Sequence, residues 1–78
     1  MHIEIISPDK KLFEGEVAQL SLPGVDGSLG ILNNHAPLIS VLKSGTIRLK
    51  DSSSVWTEFP VKGGVVEVFK NKVIILAE

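Results

Sequence analysis

Apolar and polar residues alternate along most of this chain, and a period of two marks strands with one buried face. In HIEIIS, Ile3 and Ile5 point one way and His2 and Glu4 the other. In AQLSL the inward set is Ala18, Leu20 and Leu22, with Gln19 and Ser21 outward. TIRLK places Ile47 and Leu49 inside, against Thr46, Arg48 and Lys50. VWTEF sets Val55, Thr57 and Phe59 opposite Trp56 and Glu58, and VVEVF and VIILA close the chain as two β-prone runs. No window carries the stripe of an amphipathic helix.

Breakers fall between these runs at short intervals: Ser7-Pro8-Asp9, Pro23-Gly24, Asn33-Asn34, Ser44-Gly45, Asp51 to Ser54, Gly63-Gly64 and Lys70-Asn71. Such spacing predicts an all-β fold, a flattened sandwich or barrel of two mostly antiparallel sheets with about eight to ten short strands. FKNKV reads as a two-residue hairpin with Lys70-Asn71 or Asn71-Lys72 at its tip. PLISVL breaks the alternation, because Leu38 and Leu42 share one face while Ile39 and Val41 share the other. Either loops seal both faces of this strand, or its outer face docks onto another protein, since contiguous apolar surface on a small domain marks such sites.

Length narrows the choice. Seventy-eight residues form one domain, and a chain of this size buries only about 60% of its unfolded surface. Small domains lean on disulfides, metals or partners. The chain has no cysteine and two histidines, so disulfides and thiolate sites are excluded and a zinc site is poorly supplied. A partner is the expected supplement. The net charge of −1 offers no electrostatic footprint for nucleic acid. No apolar run reaches a membrane span, and the N-terminus lacks a signal-peptide layout.

Candidate chemistry is thin. Ser52, Ser53 and Ser54 form a turn run, and no serine stands in a nucleophile elbow. The acids mostly fall on polar strand faces or in turns, and a sandwich this small leaves little room for a cleft in which two of them could do acid–base work. Gly63-Gly64 precedes a strand and cannot build a helix-capped phosphate loop. The four aromatics, Phe13, Trp56, Phe59 and Phe69, are spread along the chain rather than gathered as a stacking platform. Trp56, on the polar face of its strand, is expected to cover the edge of the core in preference to anchoring an interface. Lipoyl and biotinyl carrier domains also carry a lysine at a hairpin tip, but Lys70 has Phe69 and Asn71 as neighbours, which is not their pattern. We therefore expect no catalytic residue, no cofactor and no bound metal.

DGSLGILNNHAPLISVLKSGTIRL, followed by VKGGVVEVFKNKVIILAE, resembles the N-terminal β-sandwich of the epsilon subunit of F-type ATP synthase. The family elements are Gly-x-Leu-Gly-Ile, His-Ala-Pro-Leu and Gly-x-Ile-Arg within residues 27–49, then Gly-Gly-x-x-Glu-Val at 63–68; IISPDKKLFEGEV matches the opening strand and hairpin. The resemblance implies a non-catalytic rotor subunit of the central stalk, packed on the gamma subunit and touching the c-ring. Such a subunit couples proton translocation to ATP synthesis. It would sit on the cytoplasmic side of a bacterial membrane, peripherally and only through the complex. Family members commonly continue into two C-terminal helices that inhibit hydrolysis. This chain stops at Glu78, so residues 1–78 are expected to be the sandwich alone, as a short form or as a piece.

Residue roles follow from the resemblance. Asp26, Gly27, Ser28 and Leu29 are expected to face the c-ring. Many relatives carry an acid where Ser28 stands here; either Asp26 supplies that charge or the contact is neutral. Ser7, His35, Pro37, Leu38, Ile39, Ser40 and Lys62 are expected to face gamma. Gly27 and Gly30 suit a tight exposed turn, Asn33 and Asn34 a second one. Pro37 suits a strand start or edge, and His35 an interface or turn role.

Overall fold

Alternation becomes register in the computed structural model, which describes residues 1–78. Nine strands follow one another: β1 His2–Ile6, β2 Lys11–Glu16, β3 Gln19–Gly24, β4 Gly27–Leu32, β5 Leu38–Leu42, β6 Gly45–Lys50, β7 Trp56–Val61, β8 Gly64–Phe69 and β9 Lys72–Ala77. They form one continuous sheet in the order β2-β1-β9-β8-β5-β3-β6-β7, with β4 on β3. The sheet curls at the single β3–β5 pair, Gly24 opposite Leu42, so β2-β1-β9-β8-β5 lies over β4-β3-β6-β7. The expected two-layer, mostly antiparallel architecture is what forms; β1 beside β9 is the one parallel pair.

Inward residues from both layers make the core. Ile3, Ile5, Leu20, Leu22, Ile31, Ile47, Leu49, Val66, Val68, Val73 and Ile75 are all but completely buried, and no polar or charged residue is buried among them. At about 25 cal/mol per Å² of apolar surface removed from water, such side chains supply the main driving force. A one-residue slip of any strand would turn its set to solvent, which fixes the register.

The turns form for local reasons. Lys70 and Asn71 both have positive φ (49° and 59°) between the paired Phe69 and Lys72, the two-residue connection whose twist matches antiparallel strands. The Asn71 side-chain carbonyl accepts the Asn34 backbone N–H at 2.8 Å, and Asn34 itself has φ 61°, as the asparagine pair predicts. Ser7 closes the β1–β2 turn, its hydroxyl oxygen accepting the Lys10 N–H at 3.2 Å. Asp51 accepts the Ser53 and Val55 N–H groups at 2.8 and 3.0 Å, a side-chain-made turn.

Four details differ from the alternation pattern. Pro23 and Gly24 finish β3 rather than break it, and the turn is Val25-Asp26. Gly30 lies in mid-strand opposite Ser21 rather than in a turn. Ala18 is half-buried outside β3, its N–H bonded to the Lys50 carbonyl beside the Gln19–Lys50 pair, which is a local bulge. Val55 and Thr57 are exposed, because the second layer ends at β7 and offers nothing to cover the strand's start.

Candidate functional site

The outer faces of the two layers differ in chemistry. Outside β6 and β7, Arg48 pairs with Glu58, Nε to Oε2 3.0 Å. The Arg48 guanidinium and Lys50 ammonium stand 4.8 and 5.7 Å from the Trp56 ring centroid. Trp56 thus stacks beneath two cations on the outside, instead of covering the core edge. Its polar neighbours leave this face with no large apolar surface.

The outer face of β5, β8, β9 and β1 is the reverse. Pairing aligns Val41 with Val65, Val65 with Leu76, and Leu76 with Ile6 in one apolar row. The next row runs Ile39, Glu67, Ile74 and Glu4. Phe69 and Lys72 start a third, which ends on His2. Ile39 is 74% exposed, Val41 54%, Phe69 54% and Leu76 55%. Of the two options for PLISVL, the structure realises the open outer face. Two shallow depressions flank it: one of about 360 Å³ beside Pro37, Ile39 and Phe69, the other of about 440 Å³ beside Ile6, Ser7, Val65 and Leu76.

The residues singled out for gamma spread along this face. Pro37, Leu38 and Ile39 line its first depression and Ser7 its second. Lys62 is exposed at the Ser7 end, where its N–H reaches the Glu78 carbonyl at 3.3 Å. His35 is exposed just before β5, its Nδ1 2.7 Å from the Ala36 carbonyl. Leu38 and Ser40 are half-buried on the inward side of β5, and Leu38 packs against the core. For the c-ring set, Asp26 is at an exposed hairpin tip and Gly27 closes it with φ 131°. Ser28 is exposed on β4, whereas Leu29 is half-buried against the core. The two sets occupy different elements.

Val65, Phe69, Ile74 and Leu76 were legible yet missed. VVEVF and VIILA carry apolar side chains at consecutive positions, the same two-faced signal as PLISVL.

One titratable cluster stands at the corner of this face. His2, Glu4 and Glu14 bring their ligand atoms within 4.8 Å of one another. Glu14 is already engaged: Lys11 Nζ donates to one oxygen at 2.7 Å and His2 Nε2 lies 3.0 Å from the other. The Lys11 hydrogen bond, then that of His2, holds the Glu14 carboxyl down to about 2, and Glu14 raises the Lys11 ammonium above its ordinary value. The His2–Glu14 contact ties β1 to β2.

The family described as "ATP synthase, Delta/Epsilon chain, beta-sandwich domain" matches residues 1–78. The ATP synthase epsilon chain of Dichelobacter nodosus is 47% identical over 76 residues, covering 97% of this chain and 53% of that relative. Its counterpart in Chlorobium limicola is 43% identical over 76 residues, 97% and 86% covered, and that of Halalkalibacterium halodurans 45% over 78, 100% and 58% covered. The chain thus spans little more than half of two of these relatives. Among solved structures, a chain of the Euglena gracilis mitochondrial ATP synthase (OSCP/F1/c-ring) superposes with a TM-score of 0.91 at 19% identity, covering 96% of this chain and 48% of that one. A chain of the Tetrahymena thermophila mitochondrial central stalk and c-ring gives 0.80 at 24% identity, with 99% and 62% covered. At these identities the structural likeness establishes the fold.

Proposed function

The chain belongs to the ATP synthase delta/epsilon-chain β-sandwich family, and from that premise we propose that it is a non-catalytic piece of the rotor's central stalk. In this reading residues 1–78 act as one unit that links the gamma subunit to the c-ring and helps couple proton translocation to ATP synthesis. It reaches the cytoplasmic side of a bacterial membrane peripherally, through the complex. The observation that carries the reading is the contiguous apolar outer face of β5, β8 and β9, centred on Ile39, Val65 and Leu76. A stable interface takes about 800 Å² per partner, roughly a sixth of the 4690 Å² this chain exposes, so one face suffices.

We assign gamma to that face and its rim, with Ser7, His35, Pro37, Leu38, Ile39, Ser40 and Lys62 as the contact set. Leu38 and Ser40 contribute from beneath, by positioning the strand. The c-ring falls to the Val25-Asp26 hairpin, with Asp26, Gly27, Ser28 and Leu29. Torque passes through such a body by packing, which suits a tightly registered core with no buried polar group. The test is assembly. Mixed with purified gamma, the chain is expected to co-elute as a one-to-one complex on size exclusion; separate elution at micromolar concentrations would contradict the reading.

A further inference from the structure

Glu67 stands in the middle of the apolar face. Its cross-strand partners are Ile39 on β5 and Ile74 on β9, and Val65 and Phe69 flank it two residues away along β8. Four apolar side chains thus surround one exposed carboxylate. Glu67 forms no ion pair and no side-chain hydrogen bond. Other strand acids are engaged: Glu14 with Lys11 and His2, Glu58 with Arg48. Lys72 sits diagonally to Glu67, opposite Phe69, and leaves it unpaired. The Lys70 ammonium turns instead over the Phe69 ring, 5.3 Å from its centroid.

Folding gives no reason for a carboxylate at this position. Glutamate is a weak strand former, and no contact within the chain uses it. In water the charge is solvated; beneath a partner it is not. Glu67 lines the depression beside Pro37, Ile39 and Phe69, and a smaller one of about 170 Å³ shared with Lys72 and Ile74. A partner that covers Ile39 and Phe69 therefore closes over Glu67 as well. A carboxylate taken out of water without a counter-charge is heavily penalised, so a purely apolar cover is disfavoured at this spot. A second copy related by a two-fold axis through the face would bring two Glu67 carboxylates together, like charge against like.

We propose that Glu67 is the charged anchor of the gamma interface and takes a cationic side chain, lysine or arginine, that gamma presents from within an apolar patch. The inference rests on the rotor-stalk reading and adds to it the chemistry of the group that gamma brings to the centre of the face. Charge complementarity identifies that group: the four apolar neighbours keep water out once covered, and an ion pair so enclosed is little screened by salt. Gamma is the partner because Pro37 and Ile39, which share the depression with Glu67, belong to the gamma contact set. The c-ring set stands apart, on the Val25-Asp26 hairpin and β4. Such a pair fixes register and rejects partners that lack the charge.

Calorimetric titration of purified gamma with the parent chain and its Glu67 variants tests this. Glu67→Gln keeps the shape and removes the charge, and should weaken binding by about tenfold to a hundredfold. Glu67→Leu completes the apolar face and should weaken binding at least as much, because the cation of gamma is then buried against leucine. Both variants should keep the urea midpoint of the parent, since Glu67 is exposed; a lower midpoint for Glu67→Gln would give the residue a role in folding and overturn the proposal. If gamma binds Glu67→Leu as tightly as the parent or more tightly, no cation faces Glu67, and the proposal falls while the rotor-stalk reading stands. If gamma does not bind the parent, both fall. Lys72→Met should bind as the parent does; a loss equal to that of Glu67→Gln would make Lys72 the counter-charge and overturn the proposal. Self-association of the parent that Glu67→Gln abolishes would assign the face to a second copy, which overturns it too.

Discussion

Ile39 is the most exposed large apolar side chain of the molecule. It is 74% exposed at the second position of β5, so its side chain contributes little to the fold and is free to serve a contact. Ile39→Asp is expected to leave urea stability within about 0.5 kcal/mol of the parent while weakening gamma binding by about 2–4 kcal/mol. An isolated variant that unfolds would place Ile39 in the core and remove it from the interface. Gly64 is the opposite case: φ is 150°, and an added Cβ would sit on the Leu76 carbonyl oxygen. Gly64→Ala should cost about 3 kcal/mol by urea unfolding, whereas Gly30→Ala, with open space around it, should cost far less; equal losses would contradict the geometry. Glu14 gives a pH signature. Its carboxyl is held at about 2 against an ordinary 4.5. The native state therefore favours the ionised form, and the resulting stability is complete above about 4.5 and is lost as pH falls toward 2. Glu14→Gln should flatten the fall of the urea midpoint across that window; an unchanged slope would show that the Lys11 and His2 contacts do not act on stability. Sequence patterning reaches Ile39 because it breaks the alternation, but the meeting of His2, Glu4 and Glu14 was out of reach. It depends on β1–β2 pairing that brings positions ten or more apart into one corner.

Among elements, the hairpins were the most legible. Lys70-Asn71 was one of two placements offered by FKNKV, and the positive φ at both residues decides it. Asn71 does two jobs there, tolerating φ 59° and accepting the Asn34 N–H. Asn71→Gly keeps the turn and loses the bond, which should cost about 1 kcal/mol. Asn71→Ala loses the bond and strains the backbone, adding about 1 kcal/mol more. Thermal unfolding of the two variants separates the effects, and identical losses would mean that strain is negligible. Val25-Asp26 was misplaced by two residues because proline and glycine are breakers by propensity, while here both join a strand. Pro23 has no N–H to give, yet its carbonyl accepts the Lys43 N–H at 2.8 Å, and Gly24 fits the crowded crossing of β3, β4 and β5, where a Cβ would meet the Gly27 carbonyl oxygen. Tertiary crowding reversed the local rule.

Over the whole molecule, the fold class and layer count follow from periodicity, because a period of two fixes which side chains meet even before partners are known. What periodicity left out is which strands neighbour one another, and that order assembles the candidate site. Val41, Val65 and Leu76 lie far apart in sequence and become one row only through the β5-β8-β9 pairing. The result is a body with one apolar outer face and one polar outer face, the latter occupied by Arg48, Lys50, Trp56 and Glu58. Hydroxyl-radical footprinting of the chain with and without gamma reads that asymmetry side chain by side chain. Ile39, Phe69 and Leu76 are expected to lose labelling on complex formation while Trp56 keeps it; protection of Trp56 with the other three unchanged would contradict an interface on the apolar face.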